Sequence, residues 1–234
     1  MVRDSREAFK TRDDVFDNFT ERLLFKLSGQ GHFDQLSRII SPGKEAVVFV
    51  AAKGEEKVAV KIYKLETAKF TKMYSYIRVD PRYHALKNSQ RQVIFSWTER
   101  EYRNLLICRQ AGVRAPMPIT HRFNVLVMEF IGDAQPAPLL KASPPEDPAA
   151  FAEMTFAELE KLVRAGFMHG DLSEHNILNH DEVPVLIDFS HMAPMSAPNS
   201  RELLERDVDN LCRYFTSLGV TCDRDAFIRK CLIK

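Results

Sequence analysis

The stretch His169–Ser190, HGDLSEHNILNHDEVPVLIDFS, decides the fold. Its middle reads as a small hairpin, Asn176-Ile-Leu178 and Val183-Pro-Val-Leu-Ile187 joined by Asn179-His-Asp-Glu182. Asp171 and Asn176 share the loop before that hairpin, and Asp188 ends it. A metal–nucleotide site needs hard oxygen ligands, because Mg²⁺ prefers one or two carboxylates together with phosphate oxygens. It also needs a carboxylate that orients, or takes the proton from, an attacking hydroxyl. Asn176 and Asp188 suit the metal role and Asp171 suits the base. His-Gly-Asp alone would equally fit a polar surface loop. The hairpin and the aspartate at its end argue against that reading.

Outward from this stretch the chain is helical on both sides. Ala149 to Ala165 carries Phe151, Met154, Leu159, Leu162 and Val163 at helical spacing, with Gly166 placed to stop it. Ser200 to Leu218 repeats the pattern with Leu204, Val208, Leu211 and Phe215, and Gly219 follows. Upstream, the proline-dense run Pro136–Pro148 reads as a linker, since proline removes backbone donors and favours extended chain. Before it the pattern is strand-like. Val47-Val-Phe-Val-Ala51 and Lys57-Val-Ala-Val-Lys-Ile62 flank the turn Lys53-Gly-Glu-Glu56, and Asn124–Ile131 reads as another buried strand. One strong helix, Arg91 to about Gln110, lies between them and closes at Gly112. A β-rich part, a linker and a helical part predict a bilobal α+β chain with a ligand cleft between its lobes.

The β-rich part offers two cationic elements. Ser41-Pro-Gly-Lys-Glu-Ala46 is expected between a helical N-terminal segment and the first hairpin. Gly43 would allow backbone amides close to phosphate oxygens, with Lys44 adding charge. The run is neither Gly-x-Gly-x-x-Gly nor a Walker sequence, and an ordinary turn explains it equally well. Lys61, in Val58-Ala-Val-Lys-Ile-Tyr63, is either the solvent position of an alternating strand or a grip for phosphates that needs a helix carboxylate beside it. On the 91–110 helix, Ile94, Trp97, Leu105 and Cys108 form an apolar stripe that includes Glu101. A carboxylate on an inward stripe is costly unless paired, so Glu101 is favoured over its neighbour Glu99 as the partner of Lys61.

Composition excludes several classes. With 234 residues, 45% hydrophobic, 28% charged and a net charge of +1, the chain is ordinary globular material without a global field for nucleic acid or membrane. The charged N-terminus lacks a signal-peptide core, and no run approaches the roughly 18 apolar residues of a membrane helix. Cys108, Cys212, Cys222 and Cys231 contain no Cys-x-x-Cys pair, which favours free thiols in a reducing cytoplasm. From Tyr63 to Gln92, Lys64, Lys69, Lys72, Arg78, Arg82, Lys87 and Arg91 interleave with Phe70, Tyr74, Tyr76 and Tyr83, against Glu66 and Asp80. Such a mixture suits phosphate contact and base stacking, and it equally suits a solvated loop.

Taken together, Ser41-x-Gly-Lys-Glu-Ala46, Ala59-Val-Lys-Ile-Tyr63, Trp97-Thr-Glu-Arg-Glu-Tyr-Arg-Asn-Leu105, Val127-Met-Glu-Phe-Ile-Gly132 and Pro136-Ala-Pro-Leu-Leu140 resemble the atypical serine/threonine protein kinases of the RIO family. His169–Leu178, Leu186-Ile-Asp-Phe-Ser190 and Leu204-Glu-Arg-Asp-Val-Asp-Asn210 continue the likeness, which is closest to the first-numbered RIO subfamily. The resemblance implies a trimmed kinase fold, an N-terminal lobe over residues 1–131 and a C-terminal lobe over 132–234, with ATP and Mg²⁺ or Mn²⁺ between them. By position, Ser41, Gly43 and Lys44 would lie over the phosphates, Lys61 would hold them and Glu101 would brace Lys61. Asp171 would be the catalytic aspartate, and Asn176 and Asp188 the metal ligands. Met128 would back the adenine pocket, with Glu129 and Ile131 offering hinge backbone groups. The family's link to small-ribosomal-subunit maturation implies a pre-ribosomal RNA partner for residues 63–92, and a phosphoaspartate at Asp188. The chain departs from the family pattern at Pro42, Gly170 and His191.

Two other readings compete. Aminoglycoside and choline kinases also use His-Gly-Asp followed by Asn, but little chain remains after Asp188 to build a small-molecule pocket. A metal hydrolase using His169, His175 and His180 lacks any common ligand spacing.

Overall fold

The computed structural model describes residues 16–66, 70–78, 80–83, 86 and 89–232. These form two compact units. The first takes the described residues up to Ile77 with Ala85–Tyr102 and Met117–Phe130, and the second takes Arg78–His84, Arg103–Pro116 and Ile131 onward.

The first unit is an antiparallel sheet with a helix on one face. Helix α1 (Asn18–Gly29) starts at Asp17, whose carboxylate accepts from the N–H groups of Phe19 (2.9 Å) and Thr20 (3.0 Å). Strands β1 (Gln35–Pro42), β2 (Ala46–Lys53), β3 (Glu56–Tyr63), β4 (Pro118–Arg122) and β5 (Val125–Glu129) are arranged in the order β1-β2-β3-β5-β4. Val58, Val60 and Ile62 of β3 join Val47, Phe49 and Ala51 of β2 in a buried cluster with Leu23, Leu24 and Leu27 of α1. Each fully buried leucine contributes roughly 1.5–3 kcal/mol. Because strand side chains alternate, Ala59, Lys61 and Tyr63 must occupy the opposite face of β3. Two further helices accompany the sheet, α2 (Phe70–Ile77) and α3 (Gln90–Gln110). The last turns of α3 belong to the second unit.

Strand β1 corrects the expectation that Ser41–Ala46 directly follows a helix. The run is instead the turn of a β1–β2 hairpin, with Pro42 opposite Val47. A Cβ on Gly43 would lie 2.7 Å from the Ala46 carbonyl, so closure of this turn by itself requires glycine there.

The second unit is built around α4 (Pro148–Arg164) and α5 (Ser200–Ser217), with α6 (Arg224–Leu232) at its end. Two small ladders join them. One pairs β6 (Phe167–Met168) with β9 (Ala193–Pro194), and the other pairs β7 (Ile177–His180) with β8 (Val183–Leu186). The proline-dense run is not a solvated linker. Leu140 is fully buried, its N–H donates to Ile177 O (2.8 Å), and Asn179 N–H donates to Pro138 O (2.9 Å). Its final residues start α4, where Asp147 caps Ala149 and Ala150 and Pro148 takes the first helical position. Among the described residues no helix is long and apolar enough to cross a membrane.

Candidate active site

On the first unit, Lys61 Nζ lies 2.8 Å from Glu101 Oε1, and both side chains are buried. Glu99 is not the partner in this pair. The Tyr63 hydroxyl donates to the other Glu101 oxygen at 2.5 Å, and the Lys61 ammonium lies 5.1 Å from the centre of the Tyr63 ring. The carboxylate is thus held from both sides. A buried ion pair adds little net stability against an apolar replacement, while removal of one partner is costly. Stability alone therefore does not account for the arrangement.

The remaining residues of the expected nucleotide site on this unit are less enclosed. Ser41 and Lys44 are exposed, and Ser41 pairs with Val48 across the hairpin. Met128 is half-buried on β5. The Glu129 N–H donates to Met117 O (2.8 Å), and its carboxylate accepts from Met117 N–H (2.9 Å). The Glu129 N–H is therefore already engaged within the unit. Ile131, in the second unit, accepts from Ala137 N–H through its carbonyl (2.9 Å).

On the second unit the loop from His169 to Asn176 is fastened from below by α5. Asp207, fully buried, accepts from Gly170 N–H at 2.7 Å and from Leu172 N–H at 2.8 Å. Burial lifts its carboxyl to about 7, against the pull of those two donors and the Arg206 guanidinium. Arg206 donates to the Gly170 carbonyl, and Asn210 donates to the Leu172 carbonyl at 3.0 Å. These bonds hold the backbone on both sides of Asp171 and leave its carboxylate exposed. Asn176 Nδ2 donates to the Asp171 carbonyl at 2.8 Å, which leaves Oδ1 as the group Asn176 can offer a cation. Gly170 has φ +79, and a Cβ there would meet the His191 carbonyl at 2.9 Å, so the backbone at these two positions is in close approach.

Asp188 stands in the left-handed region (φ 61, ψ 64) at the start of the short turn Phe189–His191. The Ser190 hydroxyl donates to its Oδ1 at 2.8 Å. Asn104 of α3 fixes this turn by donating to the carbonyls of Phe189 (2.7 Å) and Met192 (3.2 Å), and Arg82 holds the Asn104 oxygen at 3.0 Å. His169 is fully buried, with Nε2 3.0 Å from the Ile187 carbonyl and its ring 4.8 Å from that of Phe189. Burial pushes its imidazole down to about 4, so it braces the loop as a neutral ring. The three histidines form no ligand set. Among the described residues, the group of three His, Cys or carboxylate ligand atoms lying within 4.8 Å of one another is that of Asp133, His180 and Asp181.

Residues 47–227 match the RIO domain family. The chain belongs to the RIO family. Its RIO relatives include the RIO-type serine/threonine-protein kinase Rio1 of Methanocaldococcus jannaschii, 42% identical over 221 residues, which are 93% of this chain and 75% of that protein. The corresponding Rio1 of Haloferax volcanii is 38% identical over 222 residues, 94% of this chain and 77% of that protein. The solved Rio2 kinase–ADP/Mg²⁺–phosphoaspartate complex from Chaetomium thermophilum superposes with a TM-score of 0.66 at 22% identity, covering 88% of this chain and 64% of that one. At that identity the likeness is one of fold.

Within this RIO chain, reading the sequence missed Tyr63 as the second holder of Glu101, and Asp207, Arg206 and Asn210 as the fastening of the loop from His169 to Asn176. It also missed Asn104 and Ser190. Two members of the basic–aromatic stretch are committed elsewhere. Arg82 pairs with Asp80 (2.7 Å) and stacks on Phe167, and Tyr83 is buried. Lys72 on α2 and Arg78 just after that helix are exposed, and Lys72 sits 5.9 Å from the Tyr76 ring. Lys69 and Lys87 lie outside the described residues.

Proposed function

We propose that this chain is an ATP-dependent protein serine/threonine kinase of the RIO type, with ATPase turnover on the same residues. The observation that carries it is the buried Lys61–Glu101 pair, a positive charge held on the sheet at a position stability does not demand. Lys61 grips the α- and β-phosphates while Glu101 and Tyr63 fix its ammonium. Gly43 and Lys44 close over the phosphates, and Met128, Glu129 and Ile131 meet the adenine. Asp171 orients the acceptor hydroxyl and takes its proton. Asn176 Oδ1 and the Asp188 carboxylate are hard oxygen donors of the kind Mg²⁺ or Mn²⁺ accepts. The cation, when bound, neutralises charge on the transferring phosphoryl group.

Removing divalent metal with EDTA should abolish turnover, and acceptors should carry acid-stable phosphoserine or phosphothreonine. Turnover stimulated by aminoglycosides or amino alcohols, with no labelled protein, would instead establish a small-molecule phosphotransferase.

A second reading makes ATP turnover a switch in maturation of the small ribosomal subunit in the cytoplasm, with α2 and its basic neighbours against RNA. The phosphoaspartate in the Rio2 complex favours it. An Asp188 carboxylate oxygen would attack the γ-phosphorus as the bond to the departing ADP breaks, and water would later hydrolyse the acyl phosphate. A hydroxylamine-sensitive label that persists in Asp188→Asn would exclude this step.

A further inference from the structure

Away from Lys61 and Glu101, the first unit carries an aromatic ridge built from three separate elements. Phe19 of α1, Phe95 of α3 and Phe123 of the β4–β5 turn are mutual neighbours. The ring centres are 5.8 Å apart for Phe19–Phe95, 5.2 Å for Phe19–Phe123 and 5.0 Å for Phe95–Phe123. The ridge continues along α3 and β4, where Tyr102 and His121 lie 4.6 Å apart.

Phe123 is the residue least explained by packing. It is 43% exposed, and its φ of +51 is a conformation that favours glycine. The turn is nevertheless firmly set. Asn124, fully buried, donates to Tyr63 O and to Thr20 Oγ1, both at 2.9 Å, and its carbonyl accepts from Tyr63 N–H at 2.8 Å. A rigid turn therefore holds a large ring outward at a backbone cost.

Two guanidinium groups lie over these rings. Arg91 is 5.7 Å from the centre of Phe19, and Arg122 is 5.8 Å from that of Phe123. Arg22 and Lys26 follow Phe19 at helical spacing along the same exposed flank of α1. On the acidic side, Asp17 is engaged as the cap of α1, and Glu99 lies one turn beyond Phe95 on α3. The patch is thus locally basic in a chain of net charge +1.

Planar π faces interleaved with planar cations match an alternation of bases and phosphates. From this geometry we propose that the ridge binds single-stranded nucleic acid, with a base stacked on Phe123 and phosphates on Arg91 and Arg122. Arg91 falls within the basic stretch noted in the sequence, but in the fold it belongs to Phe19. The site does not depend on phosphotransfer.

The test is fluorescence anisotropy of a short mixed-sequence single-stranded RNA with the full chain, alongside its duplex and an acidic peptide. Phe123→Ala and the milder Phe123→Leu should each weaken single-strand binding by about tenfold. Arg91→Gln/Arg122→Gln should reduce the slope of log affinity against log salt by about 1.4. ATP turnover should stay unchanged in all three, which shows that the variants are folded. Equal RNA binding by wild type and variants would overturn the proposal. So would a preference for the acidic peptide, or a loss of RNA binding confined to Lys72→Gln/Arg78→Gln.

Discussion

At Glu101 two donors, the Lys61 ammonium and the Tyr63 hydroxyl, converge on one buried carboxylate. Glu101→Ala would leave the lysine buried without that partner, and it should lower unfolding free energy by about 3–5 kcal/mol in urea denaturation. Lys61→Met/Glu101→Leu should recover most of that loss while remaining inactive. A double variant as unstable as the single one would mean that packing, not charge, sets the cost. Asp207 makes a comparable demand and adds a pH signature. Its folded pKa is raised to about 7 from an ordinary value of 3.8, so between those limits the folded state holds a proton that the unfolded state has released. This contribution is fully present below pH 3.8 and is lost as pH rises through 7. The melting temperature of wild type should therefore rise relative to that of Asp207→Asn as pH falls from about 8 to about 5. A gap independent of pH would place the carboxyl's pKa near its usual value. Glu101 was legible in the sequence because it is a carboxylate on an apolar stripe. Asp207, between Leu204 and Val208 on the buried face of α5, carries the same signature. The identical argument would have found it.

At the level of elements, the sequence shows best what repeats. The β2–β3 hairpin and helices α3, α4 and α5 are read to within a residue or two of their ends, because each has a buried face with a clear period and a glycine or turn to stop it. Strand β1 escaped because it lies at the sheet edge, mostly exposed and with register shifts on both sides of Ile39, so it offers no alternation to read. The Pro136–Pro148 run was misread for a different reason. Proline density reports missing donors, not exposure, and Leu140 between those prolines is buried against β7. Leu140→Ala should cost about 2–5 kcal/mol in denaturant unfolding. A loss of only a few tenths would restore the picture of a linker.

Over the whole molecule, two sets of residues with separate supports make up the proposed chemistry. Lys61 and Glu101 depend on β3 and α3. Asp171, Asn176 and Asp188 depend on α5 and on Asn104. The segment from His169 to Asn176 alone indicated only a phosphotransferase, and the N-terminal motifs narrowed it to a RIO chain. What the sequence could not show was the fastening, since Asp207 and Asn104 act on backbone far from them in the chain. We propose that Asp171 serves the chemical step without holding the nucleotide. The direct test is Mg²⁺-ATP turnover together with equilibrium ATP binding in Asp171→Ala. Turnover should fall by roughly two to four orders of magnitude with ATP affinity unchanged. Retained turnover, or loss of ATP binding along with it, would rule out that role for Asp171.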